Sequence, residues 1–160
     1  MASSFIAFPG KGRTGSMQIS GLWLLGDDGV VRPVIRCELL AGDGSWLKAP
    51  FLLDSGADRT VLCADLLASL ALPSIPSVDQ IAGVGGHAAS VVVETQIRMT
   101  CAHSTKVLFR GHFIALAEPQ ALDMSVLGRD LTNLFAVIVD RPDDLVCLLG
   151  QRHTYTIAIR

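Results

Sequence analysis

Phe51-Leu52-Leu53-Asp54-Ser55-Gly56-Ala57-Asp58-Arg59-Thr60-Val61-Leu62 sets an acid at the end of an apolar run, directly before a small hydroxyl residue and a glycine. The apolar run reads as a buried strand, and Asp-Ser-Gly reads as a turn. An acid in such a turn is pulled two ways. Partial burial raises its pKa, while a serine hydroxyl and backbone N–H groups hold the charged form by hydrogen bonding. Taken alone the tripeptide is an ordinary turn signal, so its meaning depends on what surrounds it.

Upstream, residues 30–40 are β-branched and bounded by Gly29 and by Gly42-Asp43-Gly44-Ser45, which predicts a strand with residues 46–53 as its hairpin partner. Pro33 places that strand at an edge or a bulge. Downstream, Leu62, Leu66, Leu67 and Leu70 fall on one helical face and Pro73 blocks continuation, so residues 61–72 are predicted as the one clear helix. Residues 78–96 read as a long hairpin whose mobile tip is Gly83-Val84-Gly85-Gly86. Residues 97–101 are expected to pair with 106–116, and 135–139 with 145–149 around Arg141-Pro142-Asp143-Asp144. A last strand is predicted over 154–159, where Tyr155, Ile157 and Ile159 alternate with Thr154, Thr156 and Ala158. The Gly- and Ser-rich residues 1–21 are expected to form a flexible N-terminal arm, leaving 22–160 as a single domain, nearly all β.

The 160 residues are 50% hydrophobic before the 15 glycines are counted, and 18% charged. Average domains are about 45–50% apolar with glycine included, and about 25% charged. No uncharged stretch is long enough for a bilayer-spanning helix, so the surplus is assigned to a subunit interface. A net charge of −2 without runs of like charge excludes the footprint of a nucleic-acid binder. Residues 1–10 lack a basic residue ahead of their apolar stretch, which is not the order of a secretory signal. Cys37, Cys63, Cys101 and Cys147 show neither CxxC nor metal-ligand spacing. The expected compartment is therefore the cytoplasm, with the thiols buried singly and reduced.

Three blocks together carry a family resemblance. The turn Leu52-Leu53-Asp54-Ser55-Gly56-Ala57-Asp58, the glycine-rich Ile81-Ala82-Gly83-Val84-Gly85-Gly86, and Val126-Leu127-Gly128-Arg129-Asp130 occur in that order. In this the chain resembles the retropepsins, the single-domain aspartic proteases of retroviral type. The resemblance implies an all-β, closed acid-protease barrel with one or two short helices, in which the strand at Val126 threads behind the catalytic turn. It implies Asp54, Ser55 and Gly56 as the catalytic triplet. Leu52, Ala57, Asp58, Val61, Ala82, Gly83, Val84, Gly85 and Val126 are implied at the substrate, with Gly128 and Arg129 in support and Arg129 paired to Asp58. Leu52, Val61 and Val126 suit either apolar substrate pockets or plain core. Ala82, His87 and Arg59 depart from the family pattern, so substrate preference does not carry over.

The chain contains no second Asp-(Ser/Thr)-Gly. A carboxyl pair thus requires two chains, each giving one Asp54 across a two-fold axis. In the family the residue matching Ser55 bonds across that axis and terminal strands interleave; residues 154–159 are the candidate here, or an ordinary edge strand. The function implied is a homodimeric aspartic endopeptidase acting on peptides or proteins, without metal or other cofactor and without nucleic-acid or membrane partners. The alternative is a non-proteolytic module of the same fold, for dimerisation or peptide binding. A protease domain of a retroelement polyprotein would share the chemistry, but the initial Met1 and the long arm favour a free-standing protein.

Two other motifs fail on context. Gly83-Val84-Gly85-Gly86-His87-Ala88 satisfies a dinucleotide-binding pattern, but Val91-Val92-Val93 predicts a strand where that pattern needs a helix. His87, His103, His112 and His153 lack zinc-protease spacing.

Overall fold

The computed structural model describes residues 17–77, 81–83 and 86–150, and strands dominate it. Gln18–Ser20 (β1) and Leu22–Leu25 (β2) lead into Val31–Leu40 (β3), which turns through Gly42–Ser45 into Trp46–Leu53 (β4). Val61–Leu62 (β5) precedes the helix Ala64–Leu70 (α1). Then come Ser74–Pro76 (β6), the short pair Ile81–Gly83 (β7) and Gly86–Ala88 (β8), and two eleven-residue strands, Ser90–Thr100 (β9) and Lys106–Leu116 (β10). Ser125–Leu127 (β11), the single turn Arg129–Thr132 (α2), and the hairpin Ala136–Asp140 (β12) and Leu145–Leu149 (β13) complete it.

Pairing closes β3, β4, β11, β5, β10 and β9 into a six-stranded barrel, because β9 bonds back to β3 at Cys37–Leu39. The inward face of these strands supplies Ile35, Leu39, Phe51, Ile97, Met99, Phe109, Phe113 and Leu127, which form one apolar core. β12, β13 and β1 make a separate three-stranded sheet, from which Val146, Leu148 and Ile19 reach that core. This is the closed β-barrel with few short helices that the motifs implied. The β3–β4 hairpin forms as expected. At Pro33 the β4 ladder has already ended, at Val34, so the missing N–H costs no bond on that side.

Several expectations change. Val61 and Leu62 are strand, not the start of the helix: they pair in parallel with Ile114 and Ala115, and Val61 also pairs with Val126. Two open ladder edges outbid a periodicity that a strand leading into a helix satisfies just as well. The helix itself stops at Leu70, capped by Ala71 in the left-handed region at φ 48. The predicted arm 1–21 is too long, since Gln18–Ser20 pair with Leu149–Cys147 and Ile19 is fully buried. The long hairpin is also not the one centred on the glycines. β9 runs unbroken through residues 96 and 97 and pairs along its whole length with β10, while the glycine-rich segment is a separate two-stranded ribbon. The rest of the arm, the tip residues Val84 and Gly85, and the strand expected over 154–159 lie outside the described residues.

On the outside of the barrel, Glu38 is gripped by two cations. Arg98 Nε donates to its Oε2 at 2.7 Å and Lys106 Nζ to the same oxygen at 2.6 Å, while the Arg98 guanidinium lies 3.7 Å over the Trp46 ring. Hydrogen bonds from Arg98 and then Lys106 hold the Glu38 carboxyl down at about 2. The four cysteines are free thiols, three buried and Cys63 half-buried. Burial pushes the Cys37 thiol far above its ordinary range.

Candidate functional site

Asp54 is the first residue beyond β4, and its position follows from three strands meeting behind it. β11 lies between β4 and β5, parallel to β4 with Ser125, Val126 and Leu127 opposite Phe51, Leu52 and Leu53, and antiparallel to β5 at Val61. The segment 54–60 is therefore a loop whose entry and exit strands straddle β11. Asp54 N–H donates to the Leu127 carbonyl at 3.3 Å, which ties the acid to the end of β11. Its side chain folds back over the turn, with Oδ1 accepting the Gly56 N–H at 2.8 Å. A side chain at Gly56 would set its Cβ 3.1 Å from that oxygen, tighter than ordinary contacts. Asp54 as a residue is half-buried, whereas Ser55 and Gly56 are exposed. The arrangement holds one acid group over a fixed turn, with a backbone donor on one oxygen.

The loop's second half is locked by β11 and α2. Gly128 packs so closely under it that a Cβ would stand 2.3 Å from the Arg59 carbonyl carbon, so no larger residue fits. Arg129 N–H donates to the Ala57 carbonyl at 2.8 Å and Asp130 N–H to the Asp58 carbonyl at 3.2 Å. The Arg129 guanidinium pairs with the Asp58 carboxylate, as the motifs implied. Both side chains are at least half-exposed, so the pair orients the loop more than it stabilises it.

Leu52, Val126 and Val61 stand side by side on three adjacent strands. Val61 and Val126 are buried and Leu52 is half-buried, yet none of them belongs to the barrel's core cluster. They form part of an apolar row on the other face of the sheet. Ala82 and Gly83 lie in the β7–β8 ribbon, where Ala82 pairs with His87 and Gly83 with Gly86. Val84 and Gly85 lie outside the described residues.

Three residues at the heart of this network escaped the sequence reading. Thr60, 1% exposed, donates both its N–H (2.9 Å) and its hydroxyl (2.7 Å) to Asp130 Oδ1, which also accepts Leu131 N–H at 3.0 Å. The Thr60 hydroxyl in turn accepts Gly128 N–H at 3.1 Å. Ser125 accepts the Cys63 N–H at 3.0 Å, fixing the exit of β5. The available signal was a hydroxyl residue beside each short apolar strand: such a residue, buried, must find a partner. Sequence does not say which one, because the partners lie 62 to 70 positions away.

Neither a protein-family model nor a curated protein matches this sequence. Among solved structures, a retropepsin-like aspartic protease from Rickettsia conorii aligns with a TM-score of 0.51, at 16% identity, over 93% of this chain and 94% of that one. The EIAV protease complexed with the inhibitor HBY-793 aligns with a TM-score of 0.47, at 22% identity, over 64% of this chain and 86% of that one. At these identities the likeness is one of fold. With the barrel and the three-strand junction described above, the likeness to the Rickettsia conorii structure shows the retropepsin-like aspartic protease fold.

Proposed function

We propose that the protein is an aspartic endopeptidase whose active site forms when two copies bring their Asp54 turns together. The observation that carries this reading is the single Asp54-Ser55-Gly56 turn, braced by β11 and presenting one carboxyl with a backbone N–H on its Oδ1. Two carboxyl groups about 3 Å apart cannot both ionise, so they share one proton and titrate as a pair. The charged partner takes a proton from a water held between them as that water attacks the peptide carbonyl. The protonated partner gives its proton to the carbonyl oxygen, and a neutral tetrahedral diol forms. Collapse of the diol returns a proton to the leaving amine and breaks the C–N bond.

The remaining residues serve binding. Leu52, half-buried, offers apolar contact to an extended peptide, with the buried Val61 and Val126 backing it from the adjacent strands, and Ala57 and Asp58 offer the loop backbone and carboxylate beside it. Across the proposed two-fold axis Ser55 braces the two turns against each other, with Gly128 and Arg129 holding the loop from behind. The β7–β8 ribbon, with Ala82 and Gly83, acts as the cover that closes on substrate, a role the motif extends to Val84 and Gly85. The four unpaired thiols fit a reducing compartment, and the protein is assigned to the cytoplasm.

The test is peptide-library profiling of wild type beside Asp54→Asn, with sedimentation of both. Cleavage by the wild-type dimer alone, best near about pH 4–6 as the shared proton requires, supports the reading. Equal inertness of the two proteins on a diverse library points instead to a dimerisation or peptide-binding module. A strictly monomeric wild type removes the site.

A further inference from the structure

The outward face of the barrel wall carries more positive charge than the fold uses. Arg36 stands two positions before Glu38 on β3, Lys48 lies opposite Glu38 on β4, and Arg98 lies opposite it on β9, while Lys106 reaches it from β10. Four of the nine Lys and Arg among the described residues thus surround one carboxylate, in a chain whose overall charge is −2. Glu38 takes its bonds from Arg98 and Lys106. Those bonds hold its carboxyl at about 2, so it stays charged, one anion against four cations. Arg36 and Lys48 are exposed and make no ion pair among the described residues. Because Arg36 faces Pro50 across the ladder, Arg36 and Lys48 are diagonal neighbours, about 7–8 Å apart. Their like charges repel, and the barrel gains no bond from either. The wall is clamped by two cations and carries four.

We propose that this ring docks an acidic stretch of a protein substrate, with Arg36 and Lys48 receiving its carboxylates. Charge complementarity selects an anionic partner, and two features select a polypeptide over a nucleic acid. Glu38 lies in the middle of the ring, where a continuous phosphate backbone meets repulsion; acidic side chains, spaced along a flexible chain, reach the cations around it. A single-stranded nucleic acid also wants free aromatic faces to stack on. Trp46 has the Arg98 guanidinium 3.7 Å over its ring, and Phe51, Phe109 and Phe113 are turned into the core. The ring is continuous with the Asp54 site, because Leu52, Pro50 and Lys48 succeed one another on the same face of β4. Lys48 therefore lies about 14 Å along the strand from Leu52. An acidic stretch about six residues from the cleaved bond reaches it, since six extended residues span up to about 20 Å. Docking of the acidic stretch stands on the ring alone; that the docked protein is a substrate rests on the protease reading.

The experiment has a binding arm and a cleavage arm. Full-length Asp54→Asn protein, which consumes no probe, is titrated at pH 7 with an amide-capped tetraglutamate, its tetraglutamine counterpart and oligothymidylate. Tetraglutamate is expected to bind at least about tenfold more tightly than tetraglutamine, the scale of one or two charge-assisted contacts. Amide-resonance shifts should centre on Arg36, Glu38 and Lys48, and fade as salt screens the charges. The double variant Arg36→Gln, Lys48→Gln should lose the preference and keep its thermal unfolding, because neither side chain bonds within the fold. In the cleavage arm, a peptide that the wild type cuts is extended by a six-residue Gly-Ser linker and four Glu or four Gln. The Glu form should show a severalfold lower KM at unchanged kcat, and the double variant should cut both forms alike. Equal binding of Glu and Gln probes, shifts away from residues 36–48, or tighter binding of oligothymidylate at the ring would each overturn the proposal. Cleavage indifferent to the acidic extension would overturn its substrate clause. Tetraglutamate binding at the ring by a protein whose wild type hydrolyses no peptide sinks the protease reading and leaves the docking site standing.

Discussion

The Asp54 loop and the β9–β10 ribbon are built in opposite ways. The ribbon is eleven residues of continuous antiparallel ladder, in which neighbouring bonds back one another up and no single side chain is decisive. The loop lies between strands that meet β11 over three residues and over one, and its shape rests on a few bonds to residues about seventy positions away. Redundancy makes an element tolerant, whereas a handful of unique contacts makes one exact and fragile. Functional geometry sits in the second kind of structure because it has to be specified atom by atom.

The contrast can be broken by substitution, beginning with the largest effect. Asp54→Asn should lower peptide hydrolysis by about three orders of magnitude or more, the scale of losing a central catalytic group, with sedimentation and thermal unfolding unchanged. A stable but still active variant would detach the chemistry from the loop. Gly128→Ala should cost about 3 kcal/mol in urea unfolding, since its Cβ meets backbone that cannot move aside. Thr60→Val should cost about 2 kcal/mol by stripping Asp130 and Gly128 of a buried hydroxyl. Thr60→Ser should recover most of that, and a Thr60→Val protein as stable as wild type would show that the loop is not side-chain-held.

The smallest effect is expected on the barrel wall, where Glu38 bridges β3 to β9 and β10. Its carboxyl falls from an ordinary 4.5 to about 2 in the fold. The unfolded chain therefore binds this proton more readily, and the stability it contributes is complete above about pH 4.5 and lost as pH falls toward 2. Glu38→Gln should cost about 1 kcal/mol at pH 7. Unfolding curves of variant and wild type should converge as the pH is lowered to 2; a gap that stays constant would mean that the ion pairs contribute nothing and packing on Trp46 does the work.

How much of this was legible in the chain depends on the range of the forces involved. The β3–β4 and β12–β13 hairpins could be read because alternation and turn residues act locally. The pairing of Asp58 with Arg129 could be read because both lie in motifs with a family resemblance. The strand at Val61–Leu62 could not, because two residues carry no period and only the neighbouring edges of β10 and β11 make them a strand. β1 was missed for the same reason: three residues in a glycine-rich stretch become structure only when β13 offers them an edge.

Amino-acid order alone settled that this chain is rich in strands, that one acid sits in a tight turn, and that it carries one such turn and not two. Those facts follow from side-chain identity and short-range periodicity. Folding in three dimensions decided that β11 passes behind the acid and that Thr60 and Asp130 lock the loop. Each of these depends on groups brought together from distant parts of the chain, and a contact of that kind has no energy until the barrel closes around it.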